Sequence, residues 1–272
     1  MSSPPVRVTV FKTAKAGSGY EECEDALMVL PRREPKSDVV EPLVAVVCDG
    51  ASESLLARDW SRLLARSVAG EVLRDPSLLG DGAGFSQATK ASVDGWDRWL
   101  EDYLAAREAD GNPVKWYHRD GLAKGAFATV LAVAATPGDE CWHWSAAALG
   151  DTCLFQVRDD RLVAAFPVGE AAGFGLTPDL LGSRNRDTEL IAARARVAHG
   201  VWQEGDDVYL VTDALAAWCL TLREANRKPW PVLEVLSADG DAEAFQAWVD
   251  SARARDGMRN DDTTLVHLRI GG

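Results

Sequence analysis

The stretch LVAVVCDG, Leu43 to Gly50, decides how this chain is read. Its first six residues form a short continuous apolar run, the pattern of a strand buried on both faces. The run stops on a carboxylate, Asp49, and a glycine, Gly50. Beyond Gly50 the period changes. Across SESLLARDWSRLLARSVAGEVLRD (52–75), residues Leu55, Leu56, Trp60, Leu63, Leu64, Val68 and Val72 recur near helical spacing,. Ser52 or Ser54 is expected to cap that helix.

Working outward, VRVTVFK (6–12) alternates as a half-buried strand does, and DALMVL (25–30) reads as a second strand,. PRREPKSDVVEP (31–42) reads as a loop or hairpin connection,. Downstream, Gly80 to Gly84 reads as a turn, and a second long helix is expected from about 86 to 107. GNPVKWYHRDG (111–121) reads as a loop. FATVLAVAAT (127–136) with CWHWSAAAL (141–149) reads as one hairpin, and DTCLFQVRDDRLVAAF (151–166) as another,. Residues 167–190 read as irregular. ARVAHGVW (195–202) and DVYLVT (207–212) are strands around an acidic turn. LAAWCLTLREAN (215–226) and DAEAFQAWVDSARA (241–254) are helices, and DTTLVHLRI (262–270) closes the series as a strand. Strands do not alternate strictly with helices, which disfavours a doubly wound parallel sheet. Two antiparallel sheets packed face to face, with helices outside, fit the order, and residues 1–272 are expected to form one domain.

The chain has 272 residues, 47% of them apolar, and a net charge of −13. An acidic surface argues against nucleic-acid binding. No apolar run approaches the roughly 18 residues that a bilayer span needs, so no membrane partner is expected. The start, MSSPPVRV, lacks the apolar core of a signal peptide, and a cytoplasmic location is expected,. Five cysteines form no C-x-x-C pair and read as buried reduced thiols; four scattered histidines show no zinc-ligand spacing,.

What stands out is the placement of acids. Glu24 and Asp25 precede ALMVL, Asp49 ends VAVVC, Asp151 follows SAAALG, Asp213 follows VYLVT, and Asp261 and Asp262 precede TTLVHL. A carboxylate beside an apolar strand is costly to bury unless it is paired. Lys and Arg are sparse in 40–57, 141–157 and 201–221, so a divalent cation is the natural partner, and an all-oxygen donor set selects Mg²⁺ or Mn²⁺ over zinc,. For any single Asp, a helix cap or turn explains the residue equally well. Asp159-Asp160 and Asp206-Asp207 read as turns only.

ECEDA (22–26), VAVVCDGAS (44–52), GAFATVLAV (125–133), AALGDTCLFQV (147–157), VYLVTDALA (208–216) and NDDTTLVHL (260–268) occur in the order of the motifs of the protein phosphatase 2C family, and the chain resembles a bacterial-type member from about residue 6 to 270. The resemblance implies an α+β fold, an α-β-β-α sandwich of two antiparallel sheets flanked by helices, with a two-metal centre at one end of the sheets. It implies a metal-dependent serine/threonine phosphatase, using two Mn²⁺ or Mg²⁺ ions and a third in some members. Asp49 resembles the acid bridging both ions. The Gly50 carbonyl and Glu24 would serve one ion, and Asp213 and Asp261 the other. Asp151 matches an acid of the third, weaker site. Asp25 would act in the catalytic site by orienting ligands or waters, Asp262 stands where the family has Asn and would support from behind, and Thr129 would pack near the site. The implied partner is a phosphorylated protein, with a cognate serine/threonine kinase.

The chain departs from the family pattern at four places. Tyr20 stands where the family carries its phosphate-gripping Arg, leaving the phosphate-binding residue unassigned among Lys12, Lys15 and Arg32. Ala51 replaces a proposed general acid, Ala214 replaces a glycine, and Ala217 replaces a third-site acid. The segment after Phe166 falls where bacterial members carry a flap. Three readings are open: a protein phosphatase, a phosphatase-like binding module with little turnover, and a hydrolase of a small phosphoester.

Overall fold

The computed structural model describes residues 3–32, 38–175 and 177–271. In chain order the elements are β1 (Val6–Thr13), β2 (Ala26–Leu30), β3 (Asp38–Val39), β4 (Leu43–Gly50), α1 (Ala57–Arg74), α2 (Gly82–Ala109), α3 (Arg119–Lys124), β5 (Phe127–Pro137), β6 (Trp142–Leu149), β7 (Cys153–Arg158), β8 (Arg161–Phe166), β9 (Leu181–Gly182), α4 (Thr188–Arg194), β10 (Arg196–Trp202), β11 (Asp207–Val211), α5 (Asp213–Glu224), α6 (Trp230–Asp239), α7 (Ala242–Arg255) and β12 (Thr263–Ile270). The fold is α+β. One antiparallel sheet has the order β3-β1-β12-β11-β7-β8, and the other β10-β6-β5-β4-β2, with β9 pairing β5.

Strand β4 shows why its sequence is apolar throughout. Val44, Val46 and Cys48 face the core shared with α1 and α2, where Trp60, Leu64, Val68 and Trp96 are buried. Leu43, Ala45 and Val47 face the opposite way, into the core between the two sheets, against residues such as Leu131, Val208 and Leu268. A strand with helices on one face and a sheet on the other has no polar side. The second sheet repeats this logic outward: Phe155, Tyr209, Val211 and Leu265 pack against Leu215, Cys219, Leu233 and Phe245 of the C-terminal helices. The layers therefore run helix, sheet, sheet, helix, as the sequence order suggested. Among the described residues, no helix is long and apolar enough to cross a membrane.

Several local readings need correction. Neither Ser52 nor Ser54 caps α1, which starts after Leu56 in a left-handed conformation with no side-chain cap. Both hydroxyls are used elsewhere: Ser52 reaches Glu24, and Ser54 accepts from the Phe127 N–H. The turn at 80–84 is shorter, because α2 begins at Gly82, with Asp81 accepting from the Gly84 N–H at 2.7 Å. Residues 111–121 include the start of α3, and 167–190 include β9 and the first turn of α4. Helix α6 was concealed by Pro229 and Pro231, yet Pro231 lies in its first turn, where no intrahelical N–H is lost,. Of the connection 31–42, residues 33–37 lie outside the described residues, as does residue 176 of the 167–190 segment.

Asp206 and Asp207 are more than a turn. Asp206 is fully buried and accepts from Gln156 Nε2 at 2.7 Å and from Arg158 Nε at 2.6 Å. Asp207 accepts from Arg269 at 2.6 Å and lies 2.7 Å from His267 Nε2. These pairs anchor the chain where it passes from β10 in one sheet to β11 in the other. Asp159 and Asp160 do form a turn, with φ of 49° and 59°.

Candidate metal centre

Strand direction places the acids. Asp49 is the penultimate residue of β4, paired with Thr129 near the start of β5. Since β2 is antiparallel to β4, Ala26 pairs with Cys48, and Glu24 and Asp25 precede it at the same end. β6 ends opposite Val130 of β5, and the chain crosses to the other sheet through Gly150, Asp151 and Thr152 to enter β7. There β11 ends opposite Cys153, and β12 starts beside the end of β1. Alternation of direction across both sheets thus delivers Glu24, Asp25, Asp49, Asp151, Asp213, Asp261 and Asp262 to one end of the sandwich.

A cavity of about 600 Å³ opens there, lined by Asp49, Gly50, Thr129, Asp151, Asp213 and Asp261 among others. Two glycines make the approach possible. A Cβ on Gly50 would stand 2.8 Å from the Glu24 carbonyl oxygen and 3.1 Å from the Ala57 backbone, so only glycine lets β4 pass between β2 and α1,. Gly150 has φ +111°, and a Cβ there would meet the Thr129 side chain at 2.5 Å.

The remaining predicted residues lie around this cavity. Glu24 accepts from Ser52, which lines the cavity, and from Lys15 Nζ at 3.4 Å. Asp25 is fully buried and accepts from Thr264 Oγ1 at 2.7 Å and Thr212 Oγ1 at 3.1 Å. Asp262 accepts from the Lys15 N–H at 2.8 Å and the Glu24 N–H at 2.6 Å. Thr129 Oγ1 lies 2.6 Å from Thr152 Oγ1, joining β5 to the crossing segment that carries Asp151. Asp213 opens α5, where the helix N-terminus favours a carboxylate,.

Crowding of like charge shows in the titration of these groups. Burial, then the negative charges of Asp25, Asp213, Asp261 and Asp151, hold the Asp49 carboxyl well above the usual carboxylate range. Burial pushes Asp25 up to about 8, partly opposed by the Thr264 and Thr212 hydroxyls. Asp151 is raised to about 6 by burial and by Asp213. Asp213 is also raised, chiefly by burial, although Arg259 opposes the shift.

The donor set fits a hard divalent cation. Every group is an oxygen, and Asp213 Oδ1 and Asp25 Oδ1 are buried without a hydrogen-bond partner,. Asp49 forms no ion pair with a described residue. Among the described residues, no three His, Cys, Asp or Glu side chains are grouped closely enough to hold a metal ion as they stand. Protein cations hold part of the set: Arg259 donates to Asp213 Oδ2 at 2.6 Å, and Lys15 pairs with Glu24. Arg259, two residues before Asp261, falls outside the windows in which the sequence looked poor in basic residues.

The phosphate-binding candidates separate. Lys15 reaches Ser52 Oγ at 2.9 Å, beside the cavity. Lys12 and Arg32 line a different cavity, together with Tyr20. Lys124, at the end of α3, lines the metal-side cavity and was missed, because no motif marks it. Of the five cysteines, all unpaired, Cys23, Cys48, Cys153 and Cys219 are buried and Cys141 is half-buried.

No family model and no curated protein matches this sequence. Solved structures do. The Mycobacterium tuberculosis serine/threonine phosphatase PstP aligns over 98% of this chain and 100% of its own, at 14% identity and a TM-score of 0.55. The S. agalactiae serine/threonine phosphatase aligns over 97% of this chain and 99% of its own, at 12% identity and a TM-score of 0.55. The catalytic domain of PstP in complex with two manganese ions aligns over 98% and 99%, at 15% identity and a TM-score of 0.52. The chain has the fold of the protein phosphatase 2C-type enzymes.

Proposed function

We propose that the protein is a phosphoric monoester hydrolase that removes phosphate from phosphoserine and phosphothreonine in proteins, using Mn²⁺ or Mg²⁺. The observation that carries this reading is the convergence of four carboxylates, Asp49, Asp151, Asp213 and Asp261, on one cavity where, among the described residues, Lys124 is the one cation in the lining. On this reading Asp49, the Gly50 carbonyl and Glu24 would hold one ion, and Asp49, Asp213 and Asp261 a second. Asp151 would contribute to a third, weaker site, where Ala217 supplies no acid. When bound, the ions supply Lewis acidity that lowers the pKa of water and offsets charge on phosphoryl oxygens.

The other roles belong to the chain. Thr212 and Thr264 fix Asp25 at the base of the acid cluster. Asp262 holds the backbone that presents Glu24. Lys124 offers positive charge to a phosphoryl group entering the cavity, and Ala51 contributes no proton donor. No thiol is needed, in keeping with four buried cysteines whose pKa values burial raises,. The substrate is a cytoplasmic phosphoprotein made by a serine/threonine kinase.

A second reading, a phosphatase-like module with little turnover, is favoured by the Arg259–Asp213 pair and by the place of Tyr20, away from the metal-side cavity. Hydrolysis of p-nitrophenyl phosphate and of a phosphothreonine peptide across a Mn²⁺ titration tests both. Turnover that rises with Mn²⁺ and disappears in Asp49→Asn supports the hydrolase. Mn²⁺ binding by calorimetry with no turnover at any concentration supports the module. A preference for small phosphoesters over phosphopeptide would move the substrate class.

A further inference from the structure

A second cavity, of about 590 Å³, lies between β1, β2 and α1, and it inverts the electrostatics of the chain. The protein carries a net charge of −13, yet four cations, Lys12, Arg32, Arg62 and Arg66, line this cavity against one acid, Asp59. Arg62 and Arg66 stand one turn apart on α1, so both present to the same side. None of Arg32, Arg62 and Arg66 forms an ion pair with a described residue, whereas Arg58, the next residue up this face of the helix, is paired with Glu21. Arg32 has only the Met28 sulfur, at 3.8 Å. Lys12 lies over the Tyr20 ring, 5.0 Å from its centroid, and donates to the Asp25 carbonyl oxygen at 3.2 Å.

Asp59, which feels the charge of Arg62, offsets one of the four cations, and the remaining like charges around one concavity repel each other,. An anion relieves that repulsion, and two guanidinium groups match the oxygens of a phosphate or phosphonate. The wall is not wholly polar. Met28, Leu63 and Trp99 also line the cavity, offering apolar surface to the body of a ligand. The volume lies within the range of roughly 300–1,000 Å³ typical of small-molecule sites. We propose that this cavity is an anion site, separate from the metal centre, that binds a small organic phosphate. Its dianion lies among Arg62, Arg66, Arg32 and Lys12, and its apolar body lies on Met28, Leu63 and Trp99. The site does not depend on the hydrolase reading.

The test uses phenylphosphonate, which carries the same dianion and is not a phosphate ester. It is titrated calorimetrically into the full chain in EDTA at low ionic strength. Wild-type protein and Asp49→Asn are expected to bind it alike, and the double variant Arg62→Gln/Arg66→Gln at least about tenfold more weakly, a difference of about 1.4 kcal/mol. Methylphosphonate, lacking the ring, is expected to bind more weakly than phenylphosphonate, and added salt is expected to weaken both. Both arginines are exposed, and if the double variant does not fold, Arg66→Gln alone carries the comparison. No binding to wild-type protein, unchanged affinity in the arginine variants, or a clear gain of affinity in Asp49→Asn overturns the proposal. The last result would put the anion in the metal-side cavity, where losing a carboxylate favours an anion.

Discussion

The backbone N–H of Glu24 donates to Asp262 Oδ2 at 2.6 Å, across 238 positions of sequence. The other oxygen of the same carboxylate accepts from the Lys15 N–H at 2.8 Å. One buried side chain just before β12 therefore fixes both the chain leaving β1 and the chain entering β2. An amide in its place has one accepting oxygen, and its NH₂ would face the second N–H. Asp262→Asn is expected to cost about 1–2 kcal/mol, a Tm drop of roughly 3–6 °C, because one donor loses its acceptor. Thermal unfolding followed by circular dichroism checks this. An unchanged Tm would mean that a local shift re-pairs the donor.

Asp49 sits where negative charges accumulate, so its replacement separates stability from function. Asp49→Asn keeps the shape and removes a carboxyl whose ionisation burial and the neighbouring acids oppose. Metal-free protein is expected to hold its Tm or gain up to about 3 °C, as self-repulsion falls. Mn²⁺ affinity is expected to fall by more than about tenfold, and turnover to vanish. Calorimetry and phosphatase assays on the same preparation read out both effects. Wild-type Mn²⁺ affinity in this variant would remove Asp49 from the ligand set.

The pH dependence follows from the raised carboxyl pKa values. Asp25, at about 8, and Asp151, at about 6, keep protons in the folded protein that the unfolded chain has already released. Asp49 and Asp213 act in the same direction. Between the unfolded carboxylate pKa and these values the native state binds more protons, so stability falls as pH rises. Asp207, lowered by His267 and Arg269 although burial opposes them, gives the opposite slope, in a window below the ordinary Asp pKa. Metal-free protein is therefore expected to melt at a higher temperature near about pH 5.5 than near about pH 8, and Mn²⁺ to raise the Tm more at the higher pH. Scanning fluorimetry across pH, with and without Mn²⁺, tests this; a flat metal-free profile contradicts it.

On the proposed reading, Arg259, which donates to Asp213 Oδ2 at 2.6 Å, would compete with a divalent ion for that carboxylate. Removing the charge with Arg259→Gln is expected to raise Mn²⁺ affinity by roughly threefold to tenfold, since an entering ion no longer has to displace the guanidinium, a modest cost because Arg259 is exposed,. The metal-free Tm is expected to fall, because Asp213 loses the cation that opposes its burial,. Calorimetric titration of Mn²⁺ into both proteins decides the matter. Equal affinity would show that Arg259 lies outside the ion's path.

Much of the fold was legible because strand and helix periods are local. The run Leu43 to Cys48 could be nothing but buried on two sides, and the helical recurrence from Trp60 to Val72 required one apolar face. Where local signals were read wrongly, a distant partner had claimed the side chain. Ser52 looked like a cap and instead bonds Glu24. Asp206 looked like a turn residue and instead receives Arg158 from a neighbouring strand. Pro231 hid a helix because a proline's effect depends on whether it falls in the first turn or later.

The sequence by itself determined which residues carry charge beside apolar strands, and hence that a set of oxygen donors exists. Alternation, run length and glycine positions record backbone demands that act over a few residues. Only the tertiary structure decided that the acids meet at one end of two sheets, that Arg259 reaches Asp213, and that Lys12, Arg32, Arg62 and Arg66 face one another. Those relations depend on strand direction and on packing between segments far apart in the chain, and a one-dimensional pattern holds no record of distance in space.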